Sequence, residues 1–203
     1  GEELMFYRFA RALLIPVFLL FYNYRITGRE NIPKDGAYIV CANHVSAVDP
    51  ILVGISIPKR MYFMAKVELF RNRLLRALMN GLGAFPIKRG EADIKSIKTS
   101  LKLLNSGKIL ALFPEGTRKK SNEITAEPGI AMLAIKSKVP IVPVAVISSY
   151  KFFKRTNVII GEPIELAEFY DKKLLNDEYI KISVDVMKRI HELKRDSKNE
   201  NNY

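Results

Sequence analysis

The feature that most constrains the fold of this chain is a regular alternation of short apolar runs with helical patterns. Helical patterns occupy 50–57, 68–80, 92–106 and 129–138, and a last one runs from about 174 to 194. In 92–106, apolar residues recur at three- and four-residue steps. Strands of average length are predicted at 37–41, 61–65, 83–87, 109–113, 141–147 and 157–160. Strands that alternate with helices predict one α/β domain whose sheet is covered on both faces.

The N-terminal segment is the most apolar part of the chain. Residues 12–22 carry no charge, whereas Arg8 and Arg11 precede them and Arg25 follows them. A helix of that length would be about 16 Å long, half of the ~30 Å hydrocarbon core of a bilayer. It could be a buried core helix, but its apolar residues lie all round, so we expect it to dip into one leaflet. We therefore treat 1–24 as a membrane-associated helix, 25–195 as the α/β domain and 196–203 as a polar tail.

Charge and cysteine content narrow the possible partners. The net charge is +12, and residues 58–102 hold +8 of it, so this region suits an anionic partner such as nucleic acid, anionic lipid or an acidic carrier protein. The single cysteine, Cys41, falls in a predicted strand, where a buried thiol is expected. With two separate histidines and one cysteine, no structural metal site is expected.

Polar side chains follow four successive predicted strands. His44 follows the first strand, Lys66 the second, Arg89 the third and Glu115–Arg118 the fourth. Because ligands of open α/β sheets bind outside the carboxyl ends of the strands, these side chains should converge on one edge.

His44 and Asp49 are five residues apart, a spacing that would point them about 140° apart on a straight helix. They can meet if the chain turns between them and a helix begins at Pro50, with Asp49 as its cap. Taken alone, they could equally be a core histidine and a helix cap. Taken together at a strand end, they suggest a general base with its orienting carboxylate. Ser46 leaves a Ser/His/Asp hydrolase open, although it lies in no nucleophile elbow, and we favour a substrate hydroxyl as nucleophile.

The segment that follows the fourth strand has the composition of a phosphate site. Pro114 and Gly116 alone indicate a β-turn, but a turn does not account for Glu115, Thr117 and Arg118. Arginine presents a planar fork to phosphate oxygens, and a threonine hydroxyl and turn amides add donors. Arg89 could supply a second phosphate ligand, and Lys66 could supply a third or face a developing oxyanion; a solvated surface lysine is an equally good interpretation of Lys66.

These motifs together resemble the glycerolipid acyltransferase family, and most closely its bacterial 1-acylglycerol-3-phosphate branch. The resemblance covers residues 43–144: Asn43-His44-x-Ser46-x-x-Asp49, then Arg89, then Phe113-Pro114-Glu115-Gly116-Thr117-Arg118, then Val139-Pro140-Ile141-Val142-Pro143-Val144. It implies a glycerol-3-phosphate acyltransferase-like fold with a mixed, largely parallel sheet.

The resemblance also implies the reaction and its site. His44 would be the base and Asp49 its partner, with Arg89, Glu115, Gly116, Thr117 and Arg118 around the acceptor phosphate. We add Asn43, Ser46 and Lys66 as further candidates for substrate binding. An acyl group would pass from coenzyme A or acyl carrier protein to the sn-2 hydroxyl of lysophosphatidic acid, without metal or cofactor. The protein would work on the cytoplasmic face of the cell membrane and have no nucleic-acid partner. Another lysophospholipid or glycerol 3-phosphate as acceptor, and hydrolysis through Ser46, remain alternatives.

Overall fold

The computed structural model describes residues 2–88, 93–114 and 124–200 of the chain. Its strands are β1 (Tyr24–Thr27), β2 (Ile39–Ala42), β3 (Met61–Lys66), β4 (Ala84–Ile87), β5 (Ile109–Leu112), β6 (Ile141–Ser148) and β7 (Thr156–Ile160). Its helices are α1 (Glu2–Tyr22), α2 (Asp49–Ser56), α3 (Arg73–Gly81), α4 (Ile94–Asn105), α5 (Gly129–Ser137) and α6 (Asn176–Glu200).

The strands form one sheet in the order β1-β7-β6-β2-β5-β3-β4. Within the described strands, β6 and β7 are antiparallel and every other neighbouring pair is parallel. The sheet is thus mixed and largely parallel, and that prediction is confirmed. Because β2 to β6 all run in one direction, their carboxyl ends lie at the same edge of the sheet.

Alternate side chains of the central strands enter two separate hydrophobic clusters. Val40 and Ala42 of β2 face the cluster that contains Phe18 of α1 and Leu52 of α2. Ile39 and Cys41 face the opposite cluster, which is built with α4, α5 and α6. Helices therefore cover both faces, as strands that are apolar on both sides require. The expected burial of Cys41 is also confirmed.

The N-terminal helix is longer than the apolar run suggested. It has 21 residues and is therefore about 30 Å long, not 16 Å. By length and composition alone it could cross a membrane. Tyr7 and Phe18 are nevertheless buried against the domain, and the Arg11 guanidinium donates to the carbonyls of Ile55 (3.1 Å) and Ile57 at the end of α2. One side of α1 thus packs along the domain over most of its length.

Two further segments differ from the sequence-based expectation. The edge strand β1 was not predicted; it pairs in parallel with β7, placing Tyr24 beside Thr156. The last helix continues through Glu200, so residues 196–200 of the expected polar tail are helical.

Candidate active site

The carboxyl edge of the sheet brings four strand ends together. His44 lies two residues after β2, Lys66 ends β3, Phe113 follows β5 and Tyr150 lies two residues after β6. In the sheet, β2 is flanked by β5 and β6, so the His44 turn lies between the ends of those two strands.

His44 and Asp49 form a buried pair in this edge. Nδ1 of His44 lies 3.1 Å from Oδ2 of Asp49. Asp49 is 0% exposed and His44 9% exposed. The expectation that a turn lets the two side chains meet is therefore confirmed. The carboxylate accepts the Nδ1 proton, which fixes the tautomer in which Nε2 carries the acceptor lone pair.

The carboxylate of Asp49 also closes the turn from within. Its Oδ2 accepts hydrogen bonds from the backbone amides of Val45 and Ser46, each 2.7 Å long. These amides precede α2, whose N-cap position is occupied by Val48 without a side-chain bond. The expectation that Asp49 caps the helix is therefore wrong, because its oxygens point back into the turn. Pro at the start of α2 was expected and is found there.

Asn43 ties the start of the turn to the neighbouring strand. Its Nδ2 donates to the carbonyl of Val146 (3.0 Å), and its Oδ1 accepts from the Val146 amide (2.7 Å). The side chain thus continues the β2–β6 pairing for one more residue. Asn43 is 3% exposed and both ends of its carboxamide are engaged, so this geometry lets it support the turn. Its expected contact with substrate stays a prediction.

Ser46 belongs to the same turn. Its hydroxyl oxygen accepts from the Val48 amide (3.3 Å), and its carbonyl accepts from the Asp49 amide (3.2 Å). Both contacts are local, as in other serine-stabilised turns. The structure thus places the Ser46 hydroxyl against the turn backbone, and its expected contact with substrate stays a prediction.

Phe113 covers one side of the imidazole. The ring centroids of His44 and Phe113 are 4.7 Å apart, with an angle of 38° between the ring planes. Phe113 also packs against the hydrophobic cluster that contains Val40 and Ala42. The ring therefore has a hydrophobic wall on one side, which limits its rotation and keeps water from that face.

The predicted phosphate ligands are placed only in part. Lys66 lies at the same edge and is exposed; β5 separates β3 from β2, so its strand is about 10 Å from the His44 strand. Arg89 and the whole set Glu115, Gly116, Thr117 and Arg118 lie outside the described residues, so their phosphate contacts stay predictions.

Hydrogen bonds join the described residues on either side of Arg89 and of Glu115–Arg118. The Pro114 carbonyl accepts from the Glu127 amide (3.1 Å), so the described residues before and after Glu115–Arg118 lie side by side next to Phe113. Around Arg89, the Asp93 carboxylate accepts hydrogen bonds from the Lys88 amide (2.9 Å) and from the Ser96 amide at the start of α4. These two bonds, the first more than the second, hold the pKa of Asp93 below its usual range.

One residue of the site was missed from the sequence. The phenol of Tyr150 donates a hydrogen bond to Oδ1 of Asp49. Tyr150 belongs to no recognisable motif, but it follows a strand whose end lies at this edge, and that rule could have found it. Among the described residues, no group of three or more His, Cys, Asp or Glu side chains is arranged to hold a metal ion.

A largely parallel, helix-covered sheet with a polar His–Asp pair at its carboxyl edge places the chain among the α/β proteins that bind their ligands outside the ends of the strands. A family model described as Acyltransferase matches residues 23–147. The 1-acyl-sn-glycerol-3-phosphate acyltransferase of Bacillus subtilis is 34% identical over 169 residues, which are 80% of this chain and 84% of the relative. The chain belongs to the acyltransferase family.

Two other relatives agree with this assignment. The 1-acyl-sn-glycerol-3-phosphate acyltransferase of Streptococcus pneumoniae is 34% identical over 188 residues, which are 87% of this chain and 68% of the relative. The crystal structure of the 1-acyl-sn-glycerophosphate (LPA) acyltransferase of Thermotoga maritima superposes with a TM-score of 0.65 and 25% identity, covering 95% of this chain and 79% of that one. The expected fold and the expected enzyme class are thereby confirmed.

Proposed function

We propose that the protein transfers a fatty acyl group from an acyl thioester to the sn-2 hydroxyl of 1-acyl-sn-glycerol 3-phosphate, giving phosphatidic acid. The observation that carries the proposal is the His44–Asp49 pair, held at 3.1 Å in the carboxyl edge of an acyltransferase-family fold. The acceptor follows from the relatives, which are named for acyl transfer to this lysophospholipid.

The geometry of the pair supports a single-displacement mechanism. Nε2 of His44 takes the proton of the acceptor hydroxyl as its oxygen attacks the thioester carbonyl carbon. Asp49 stabilises the resulting imidazolium through Nδ1–H. General-base catalysis of this kind is typically worth ~10²–10⁴-fold in rate. When the tetrahedral intermediate collapses, the C–S bond breaks and the imidazolium returns the proton to the thiolate. The step needs a base and a thioester, so we propose no metal or cofactor.

The acceptor phosphate would be held by the basic residues of the same edge. We assign this role to Arg89 and to Glu115–Arg118, in which Arg118 offers two parallel donors to phosphate oxygens. Lys66 is exposed at the end of β3 and could supply a further charge to the phosphate or to the developing oxyanion. The acyl donor is a thioester of coenzyme A or of an acyl carrier protein, and an acidic carrier would suit the basic region 58–102.

We place the enzyme on a membrane surface through the side of α1 that does not pack on the domain. Exposed Met5, Phe9 and Leu13 follow one another at four-residue steps along this side, and Leu20 is 69% exposed near its end. Such a stripe on a helix that rests on a domain suits the boundary between headgroups and acyl chains. The cytoplasmic face of the cell membrane is the proposed side, because thioester donors are made there.

The loop after β6 extends this apolar surface. The Phe153 amide donates to the Phe21 carbonyl (2.6 Å), and the Phe21 and Phe152 rings meet edge to face at 6.2 Å. Phe152 and Phe153 are themselves exposed. The surface therefore reaches from α1 toward the loop that carries Tyr150, next to the His44 edge, where a lipid acceptor would enter.

The test is acyl transfer from a labelled thioester to a panel of lysophospholipids and glycerol 3-phosphate presented in vesicles. We expect labelled phosphatidic acid from lysophosphatidic acid, and little product from acceptors without a free phosphate. Transfer to glycerol 3-phosphate alone would reassign the acceptor. Release of labelled fatty acid without acceptor, at the rate of transfer, would favour a hydrolase.

A further inference from the structure

Tyr150 reaches the candidate site from a part of the chain that no motif includes. It lies two residues after β6, and its hydroxyl donates to Oδ1 of Asp49, 101 positions away in the sequence. Its ring packs against the same hydrophobic cluster as Phe113. The side chain thus connects the end of β6 to the buried carboxylate.

The backbone of Tyr150 is held in a conformation that a tyrosine rarely adopts. Its φ is 55°, in the left-handed region, where residues other than glycine are strained. The Ser148 hydroxyl accepts the Tyr150 amide (3.0 Å) and is itself bonded to the Thr156 hydroxyl (2.7 Å). Such strain persists only where the surroundings fix it, and here it directs the phenol onto Asp49.

The two oxygens of Asp49 have separate partners. Oδ2 accepts hydrogen bonds from Nδ1 of His44 and from the amides of Val45 and Ser46, whereas Oδ1 accepts one from the Tyr150 phenol. Contacts at Oδ2 alone would leave the carboxylate able to swing about that oxygen. A donor at Oδ1 fixes the plane of the carboxylate, and with it the direction in which Nδ1 of His44 must point.

We propose that Tyr150 is a positioning residue for acyl transfer, which acts through Asp49 to keep the His44 ring aligned with the acceptor hydroxyl. This inference rests on the proposed function. It assigns the end of β6 a part in the reaction, in addition to the motifs that follow β2 and β5. Tyr150 acts on the rate of the chemical step and leaves the binding of either substrate unchanged.

The test compares Tyr150→Phe with Tyr24→Phe. Both tyrosines bond to α2, Tyr150 at its start and Tyr24 at its end, where it contacts Ser56 and the Leu52 carbonyl (3.4 Å). Each change removes one hydroxyl and keeps the ring. Tyr150→Phe should lower kcat about tenfold or more, as expected for a bond to a charged group, with KM for thioester and lysolipid within about twofold. Tyr24→Phe should retain the wild-type kcat.

A spectroscopic measurement separates alignment from general stability. The chain has two histidines, and His191 on α6 is exposed and serves as an internal reference. The proton resonance of His44 Nδ1–H should shift in Tyr150→Phe and stay unchanged in Tyr24→Phe. A chain with 3-fluorotyrosine at position 150, which keeps the ring and the hydroxyl, should show a changed kcat at wild-type KM.

The outcomes test the positioning role of Tyr150 and the proposed function separately. Wild-type kcat and an unshifted His44 resonance in Tyr150→Phe would overturn the positioning role, as would equal losses of kcat in the two variants. A wild-type chain without acyl transfer would overturn the proposed function, while the resonance would still show whether Tyr150 holds the His44–Asp49 pair.

Discussion

Nδ1 of His44 and Oδ2 of Asp49 are 3.1 Å apart although the two residues are five positions apart, because the chain between them is a turn and not a helix. The carboxylate accepts two backbone amides of that turn, so the group that orients the histidine also builds the loop that carries it. The pair therefore cannot be altered at Asp49 without disturbing the local fold. His44 is the cleaner position for a test.

We expect His44→Ala to abolish acyl transfer and to leave folding and vesicle binding intact. Loss of the base should lower kcat by ~10²–10⁴-fold, since the remaining contacts bind the substrates without activating the hydroxyl. The measurement is transfer from labelled thioester, with circular dichroism for folding and His191→Ala as the matched control. Turnover above about a tenth of wild type would remove His44 from the role of base.

The sequence predicted that His44 and Asp49 meet at this edge because the elements that bring them together are local. The six predicted strands, the turn between His44 and Asp49 and the parallel strand ends all follow from short-range pattern and from the rule that such ends share an edge. The N-cap assignment of Asp49 was wrong because Asp before Pro commonly caps a helix, whereas here the side-chain oxygens accept amides that precede it.

The remaining differences depend on contacts between distant parts of the chain. Tyr150 meets Asp49 across 101 positions, and no local pattern marks such a pair. β1 is short and contains Arg25, so it becomes a strand only by pairing with β7. The length of α1 was underestimated because Arg8 and Arg11 interrupt the apolar pattern in its first turns. In the folded chain the Arg11 guanidinium donates to a backbone carbonyl at the end of α2.

Ser46→Ala should retain acyl transfer within a few-fold of wild type. The Ser46 hydroxyl accepts a hydrogen bond from a turn amide at 3.3 Å, so its loss should lower the free energy of unfolding by about 1 kcal/mol. The reaction should continue, because the substrate hydroxyl and not Ser46 is the proposed nucleophile. The assay measures transfer to lysophosphatidic acid and, in parallel, release of fatty acid without acceptor. Loss of both activities in a folded Ser46→Ala protein would instead support the hydrolase alternative.

Arg118→Ala should raise the KM for lysophosphatidic acid and weaken the preference for a phosphate headgroup. Replacing a bidentate ligand of a charged phosphate typically costs a few kcal/mol, so the increase in KM should be about tenfold or more. The ratio of kcat/KM for phosphorylated and dephosphorylated acceptors is the quantity to measure, with Lys119→Ala as the neighbouring control. A ratio equal to that of wild type would exclude Arg118 as a phosphate ligand.

Polar substitutions on the exposed side of α1 should release the protein from vesicles. Deletion of the whole helix is a poor test, because Tyr7 and Phe18 are buried against the domain. Leu13→Gln with Leu20→Gln instead changes two side chains that are 61% and 69% exposed. We expect weaker sedimentation with anionic vesicles and an unchanged thermal midpoint, with Lys181→Gln on α6 as control. Unchanged sedimentation would place the membrane contact elsewhere.

Tyr38→Phe should stabilise the protein, and more so in alkali. Tyr38 is 0% exposed, and its hydroxyl has no hydrogen-bond partner among the described residues, so replacing it should gain about 1 kcal/mol. Burial, and to a lesser extent Tyr7, raises the pKa of Tyr38 to about 12 from an ordinary value of 10.0.

The sign of the pH effect follows from that shift. The folded state holds the phenol proton more tightly than the unfolded state, so the stabilisation is complete below pH 10 and is lost as the pH rises toward 12. The advantage of Tyr38→Phe over wild type should therefore grow by about 1 kcal/mol between pH 9 and pH 11. Burial raises the pKa of Tyr24 to about 12 as well, so part of the alkaline loss remains in the variant. Urea unfolding followed by circular dichroism measures both effects, with Tyr179→Phe on α6 as control. A constant difference across this range would mean that the Tyr38 phenol is not buried in the folded protein.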